Sequence, residues 1–152
     1  MNCDQDILFM KEALKCAHKA QLSGEVPVGC VIVHNGKVIA RGYNKRERKK
    51  NPLLHAEMIA IDAACRKLKG FRLLDCTMYV TLEPCPMCAG AIINSRIPRL
   101  VFGAFDKKAG CFGSVHDFNT SGFNHKSEIT SGVLEKECSD ILTEFFKTLR
   151  NK

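Results

Sequence analysis

The sequence predicts an α/β fold in which one sheet is covered by helices on both faces. Three observations carry this. Apolar residues recur at helical spacing over 4–22, 55–68 and 133–149, and cluster or alternate at strand spacing in shorter runs between them. The segments follow one another in the order αββαβαβ(β)α, and interleaving of this kind lays helices on both sides of a sheet. The turn His34-Asn35-Gly36 joins two apolar runs into a hairpin, because Asn-Gly tolerates the two positive φ angles such a turn needs.

In the first helix, Ile7, Leu8, Met10, Leu14, Ala17 and Leu22 supply the apolar stripe, with Asp4 as N-cap and Gly24 as stop. Val26 to Val33 and Val38 to Tyr43 form the hairpin strands. Lys45 to Lys50 is nearly all basic, which predicts a solvated loop. A second helix runs from His55 to Leu68 and ends at Gly70. Cys76 to Leu82 reads as a buried strand. Pro86 to Ile93 is a short helix, with Pro86 in the first turn where its missing N–H costs nothing. Arg99 to Ala104 is a strand. Phe105 to His125 is Gly-rich, irregular and too long for a passive connector. Ser127 to Ser131 is a candidate last strand, and Val133, Leu134, Cys138, Ile141, Leu142, Phe145, Phe146 and Leu149 mark an amphipathic C-terminal helix with both phenylalanines on its core side.

A chain of 152 residues is one domain's worth, so a single domain over 1–152 is expected. At this size a chain buries roughly two thirds of its unfolded surface and needs neither disulfides nor metal merely to fold. The formal net charge of +7 favours a polyanionic partner without proving one. The N-terminal stretch Met1-Asn2-Cys3-Asp4-Gln5-Asp6 is acidic where a signal peptide is basic, and no apolar run approaches the ~20 residues of a membrane span. A cytoplasmic protein without membrane contact is therefore expected. The nine cysteines then read as small buried hydrophobes, Cys3, Cys16, Cys30, Cys65 and Cys138 among them, plus a metal site.

Chemistry concentrates in His55-Ala56-Glu57 and Pro84-Cys85-Pro86-Met87-Cys88, each opening a helix. Cys85 and Cys88, three apart, face one side of theirs. Side chains of a first helical turn tilt toward the N-terminus. Two helix starts facing each other thus gather one imidazole, two sulfurs and one carboxylate around a point. Three such ligands leave a zinc ion's fourth position open, the pattern of a catalytic site, and the metal would bring the pKa of water there toward ~7. Glu57 beside His55 is the natural proton carrier, a role worth roughly 10²–10⁴-fold. A redox Cys-x-x-Cys pair needs no His-x-Glu partner. A closed structural site needs a fourth ligand, for which Cys76 and Cys111 are the candidates.

His-x-Glu followed by Pro-Cys-x-x-Cys is the signature of zinc deaminases. Further segments widen the likeness: Glu25-Val26-Pro27-Val28-Gly29, Gly42-Tyr43-Asn44, Tyr79-Val80-Thr81-Leu82-Glu83-Pro84, Phe102-Gly103-Ala104, Gly113-Ser114 and Asn124-His125. With these in order and spacing, the chain resembles the bacterial tRNA-specific adenosine deaminase (TadA) family from about residue 6 to the end. The resemblance implies a three-layer α/β/α cytidine-deaminase-like fold with a central five-stranded mixed sheet. It implies a homodimer, one zinc ion per subunit on His55, Cys85 and Cys88, Glu57 as acid/base, and no organic cofactor. The implied reaction is hydrolysis of adenosine to inosine at the wobble position of a tRNA anticodon, an arginine tRNA with the ACG anticodon being the expected substrate. Asn44 would read the flipped base, and Asp106, Lys107, Lys108 and Ser114 would lie on an RNA-contacting loop.

Physics fits an anticodon stem-loop, where bases are already partly splayed and can reach a buried metal. Lys45, Arg46, Arg48, Lys49 and Lys50, and the Lys107-Lys108 pair, suit phosphates, though a merely solvated face is the alternative for each. Phe105, Phe112, Phe118 and Phe123 suit core or dimer packing better than base stacking. Two other functions stay open: a small-molecule deaminase acting on guanine or cytosine, which would share zinc and Glu57, and a zinc-stabilised RNA-binding module, which would have no use for Glu57.

Overall fold

Alternation along the strands sorts side chains onto two faces of one sheet. In β1 (Gly29–His34), Cys30 and Ile32 point one way while Val31 and Val33 point the other. The same split places Met78 and Val80 opposite Tyr79 in β3 (Cys76–Leu82), and Leu100 and Phe102 opposite Val101 in β4 (Arg99–Ala104). With β2 (Lys37–Tyr43) and β5 (Glu128–Ser131) the sheet has five strands in the order β2-β1-β3-β4-β5. The first three pair antiparallel and the last three parallel, so the sheet is mixed. The computed structural model describes residues 3–151; Met1 and Asn2 of the acidic N-terminal stretch, and Lys152, lie outside the described residues.

Helices cover both faces. α1 (Cys3–Leu22) and α5 (Glu135–Arg150) lie on the Val31–Tyr79–Val101 side, where Met10, Ala13, Cys16 and Cys138 complete a core. α3 (Ala56–Leu68) and α4 (Pro86–Asn94) cover the other side through Ala56, Ala60, Ala64, Ala89 and Ile92. The alanines keep α3 close to the sheet, and Gly42 on β2 is what lets it in. A Cβ there would stand 2.2 Å from the Ala56 carbonyl oxygen and 2.9 Å from the Ala60 nitrogen. The height of the first turn of α3 above the sheet, and of the residues it carries, thus depends on a missing side chain. No helix of the described residues is long and apolar enough to cross a membrane.

Several sequence expectations need correction. The basic segment is not wholly a loop: Arg46–Lys49 forms a helical turn, α2, because buried Glu25 accepts hydrogen bonds from the Glu47 and Arg48 N–H groups (3.0 and 2.7 Å). The first strand begins at Gly29 rather than Val26. Asp4 lies inside α1 instead of capping it. Lys69, not Gly70, takes the left-handed position after α3, with φ 57°. Cys3 is exposed and Cys65 only half-buried, whereas Cys16, Cys30 and Cys138 are packed as expected. Phe146 is 41% exposed. The buried residues of α5, Cys138 and Ile141, both lie in its first half, so its last turns present little to the sheet. The Asn35-Gly36 turn has the expected positive φ at both residues.

One buried ion pair ties the start of α1 to the sheet. Arg99 on β4 makes two hydrogen bonds to the Asp6 carboxylate (2.8 and 2.7 Å), and the Tyr79 hydroxyl donates a third at 2.8 Å. Arg99 in particular holds the Asp6 carboxyl below the usual carboxylate range. A pKa depressed in the folded state contributes stability above the unfolded value, and the contribution is lost as pH falls through the folded one. Asp6→Ala, which leaves the guanidinium without its main partner, is expected to lower stability at pH 7 by about 3 kcal/mol. The deficit should shrink below about pH 4, as the wild-type carboxylate protonates. Denaturant unfolding of both proteins at the two pH values checks this, and a deficit constant with pH would contradict it.

Candidate active site

Two helix starts build the site. His55 is the N-cap of α3 and Cys85 the N-cap of α4, both with extended backbones (ψ 155° and 175°) and neither making a side-chain cap hydrogen bond. An N-cap side chain ordinarily turns back onto its own helix; these two turn toward each other. Cys88, one turn into α4 and fully buried, completes the group. His55 Nδ1 stands 3.6 Å from Cys85 Sγ and 3.5 Å from Cys88 Sγ, and the three donor atoms lie within 4.8 Å of one another.

These distances can be tested against a metal. Zn–S near 2.3 Å and Zn–N near 2.05 Å at a tetrahedral angle require an N···S separation of about 3.6 Å. The donor set and its spacing fit zinc. Neither Cys76 nor Cys111 belongs to the cluster. The neighbouring Cys88 thiol brings Cys85 down to about 4, while the Cys85 sulfur and burial push Cys88 up. A cation would favour the thiolate form of both. Glu57 is 4% exposed; burial, and then the charge on Cys85, raises its carboxyl to about 7.

His55, Cys85 and Glu57 line a pocket of about 230 Å³, with Cys88 buried behind it; its walls include Val26, Val28, Leu82, Asn44, Arg46 and Asp106. Drug-sized ligands occupy roughly 300–1,000 Å³, so this space suits a base rather than a whole nucleotide. Asn44 is held firmly: its Nδ2 donates to the Val26 carbonyl and its Oδ1 accepts the Arg46 N–H, both at 3.3 Å. One amide hydrogen and one lone pair stay available for a base edge. Asp106 uses Oδ1 to accept the Lys108 and Ala109 N–H groups.

The remaining candidates stand apart from the pocket. Lys107 and Ser114 line a separate hollow with Phe105 and Glu135, and Lys108 is exposed. Phe112 is buried in the core and Phe105 packs edge-on against Phe102, with centroids 5.3 Å apart. Two buried carboxylates for which no role was expected lie at the site: Glu83 lines the pocket itself, and Glu25 sits behind the Asn44–Arg46 wall. Glu25 caps α2, and Glu83 anchors the loop after β4. The available signal was an acidic residue continuing a buried strand, as Glu83 does after Leu82.

Comparison with known proteins bears on the same residues. The model of the cytidine and deoxycytidylate deaminase zinc-binding region matches residues 3–104. A tRNA-specific adenosine deaminase of Bacillus subtilis is 54% identical over 97% of this chain and 92% of its own. The chain belongs to the tRNA-specific adenosine deaminase family. A solved structure from studies of A-to-I editing by tRNA:A34 deaminases at the wobble position of transfer RNA superposes with a TM-score of 0.85. It shares 43% identity, covering 88% of this chain and 98% of that one. A guanine deaminase from Nitrosomonas europaea superposes with a TM-score of 0.78 at 23% identity, over 90% of this chain and 81% of that one; the likeness there is one of fold. For this tRNA-specific adenosine deaminase family member zinc is the cofactor, with His55, Cys85 and Cys88 as the cluster able to hold one ion.

Proposed function

We propose that this protein, acting as a single deaminase domain, hydrolyses adenosine to inosine at the wobble position of a tRNA anticodon, the ACG anticodon of an arginine tRNA being the expected substrate. The observation that carries the proposal is the His55–Cys85–Cys88 cluster with Glu57 buried beside it at the end of a base-sized pocket. Zinc held there supplies a nucleophile at neutral pH by lowering the pKa of water from 15.7 to about 7. The chain's own residues do the rest. Val26, Val28 and Leu82 give the flipped base an apolar slot, and Asn44 offers its free donor and acceptor to the purine edge. Glu57 takes one proton from the attacking water and passes it to N1, then takes the second from the new C6 hydroxyl and delivers it to the amino group as the C6–N bond breaks, C6=O forms and ammonia leaves. Arg46 at the pocket wall, the exposed Arg48 beside it in α2, and the exposed Lys107 and Lys108 supply charge for anticodon phosphates.

The deciding assay incubates the purified protein with an ACG anticodon stem-loop and, separately, with free adenine, guanine and cytosine. Inosine in the RNA, with negligible release of ammonia from the bases, is the expected result. Brisk turnover of guanine or cytosine would instead favour the small-molecule reading. Asn44→Ala is expected to lower kcat/KM on the stem-loop ten-fold or more, since a bidentate base contact is worth about 1–3 kcal/mol. Unchanged kinetics would remove Asn44 from base recognition.

We also propose a cytoplasmic homodimer. An open hollow of about 380 Å³, floored by Leu53, Leu54, Met58 and Ile59 and edged by Lys45, Lys49 and Asp62, supports pairing through this face. Light scattering on the eluting protein reads the mass directly.

A further inference from the structure

Glu83 is 1% exposed, and it accepts hydrogen bonds on both carboxylate oxygens. Oε1 receives the Asp106 N–H at 3.1 Å and the Ser114 hydroxyl; Oε2 receives the Phe112 and Ser114 N–H groups at 3.0 and 3.1 Å. All four donors belong to the loop that follows β4. The Glu83 backbone in turn pairs with the Ala104 carbonyl, and the Pro84 carbonyl accepts the Cys111 N–H, both at 2.9 Å. Cys85 follows immediately. One side chain thus joins the segment that carries two candidate metal ligands to the loop that carries Asp106, Lys107 and Lys108. Gly110 makes room for it: a Cβ there would lie 2.3 Å from the Glu83 carboxyl carbon.

We propose that Glu83 is a positioning residue for the substrate RNA, and that Ser114 acts through it rather than by contacting RNA itself. The carboxylate sets the height of the 106–114 loop over the pocket, and so the gap between the Asp106 wall and the Asn44–Arg46 wall through which a base must enter. Buried polar groups are satisfied in concert, so loss of this one acceptor releases the donors of three loop residues together. Neither Glu83 nor Ser114 need meet the reacting atoms for this. The proposal rests on the tRNA deaminase reading for its kinetic arm, while its proteolytic arm is independent of that reading.

Glu83→Gln keeps the shape but turns an NH₂ toward backbone N–H groups. The zinc-loaded protein carrying it is expected to hold its metal, to raise KM for the anticodon stem-loop ten-fold or more while kcat falls less, and to become at least ten-fold more sensitive to trypsin after Lys107 or Lys108. Gly110→Ala leaves Glu83 chemically intact but pushes it aside, and should reproduce both effects should Glu83→Gln fold poorly. Ser114→Ala should give a smaller effect, and in the double variant with Glu83→Gln it should add nothing, because residues acting through one contact are not additive. Trypsin resistance and KM unchanged in both Glu83→Gln and Gly110→Ala would overturn the proposal. Full additivity of Ser114→Ala would return Ser114 to direct RNA contact and overturn that half of it. A wild-type protein that leaves the stem-loop unmodified would defeat the tRNA reading instead, with the trypsin comparison still deciding the role of Glu83.

Discussion

Glu57→Gln is expected to reduce deamination of the stem-loop by at least 10²–10⁴-fold while zinc content stays at the wild-type level. Both halves follow from where Glu57 sits. It is in the first turn of α3, two residues past the His55 cap, buried and lining the pocket, yet outside the cluster formed by His55, Cys85 and Cys88. The amide is isosteric and cannot carry the proton, so the step loses general acid/base assistance, whose usual worth is that factor. Burial has already raised the Glu57 carboxyl to about 7. A cation at the cluster favours the ionised form and draws it down from there. The carboxylate must be ionised to accept the first proton, so kcat/KM should fall on the acid side, below about pH 7, and that limb should vanish in the variant. Zinc analysis alongside single-turnover kinetics makes the check. Loss of zinc from Glu57→Gln would make it a ligand and undo the proton-carrier role.

Cys85→Ala and Cys88→Ala are expected to lose the metal, and with it all measurable activity. Each removes one of the three donors that gather in the cluster among the described residues. A ligand that binds the native state alone stabilises it by an amount that grows with its excess over Kd, about 4 kcal/mol at a thousand-fold excess. The variants should therefore melt lower than the zinc-loaded wild type, and their Tm should no longer respond to added zinc or chelator. Cys76→Ala and Cys111→Ala are the informative controls, expected to keep their zinc. If either loses it, a fourth thiol completes the site and the open coordination position needed for catalysis is gone. Atomic absorption after gel filtration, with a thermal melt of each variant, reads both quantities.

The fold was largely legible because its periodicities are strong and unbroken. Cys76 to Leu82 and Arg99 to Ala104 have the boundaries their apolar runs indicated, and Asn35-Gly36 turns as its dipeptide predicts. What misled was local chemistry overridden at a distance. A run such as Lys45–Lys50 has no apolar stripe, and nothing nearby announces that Glu25, some twenty residues earlier, will cap it into α2. Phe146 fits a core pattern on α5, yet a helical stripe is buried only where a partner lies opposite it, and this ring is left 41% exposed.

The site divides along the same line. His55, Glu57, Cys85 and Cys88 could be singled out from the chain alone, because zinc chemistry restricts the residue types and each pair is fixed by the geometry of one helix start. Their meeting is a tertiary fact. It depends on Gly42 admitting α3 to the sheet and on two N-cap side chains turning toward each other instead of onto their own helices. The linkage of Glu83 to Asp106, Phe112 and Ser114 left no pattern to read. It spans 23 to 31 residues with donors that are mostly backbone N–H groups, and every residue but proline has one. Sequence names the residues whose side-chain chemistry is rare; only the folded chain decides which common backbone groups a buried carboxylate will hold.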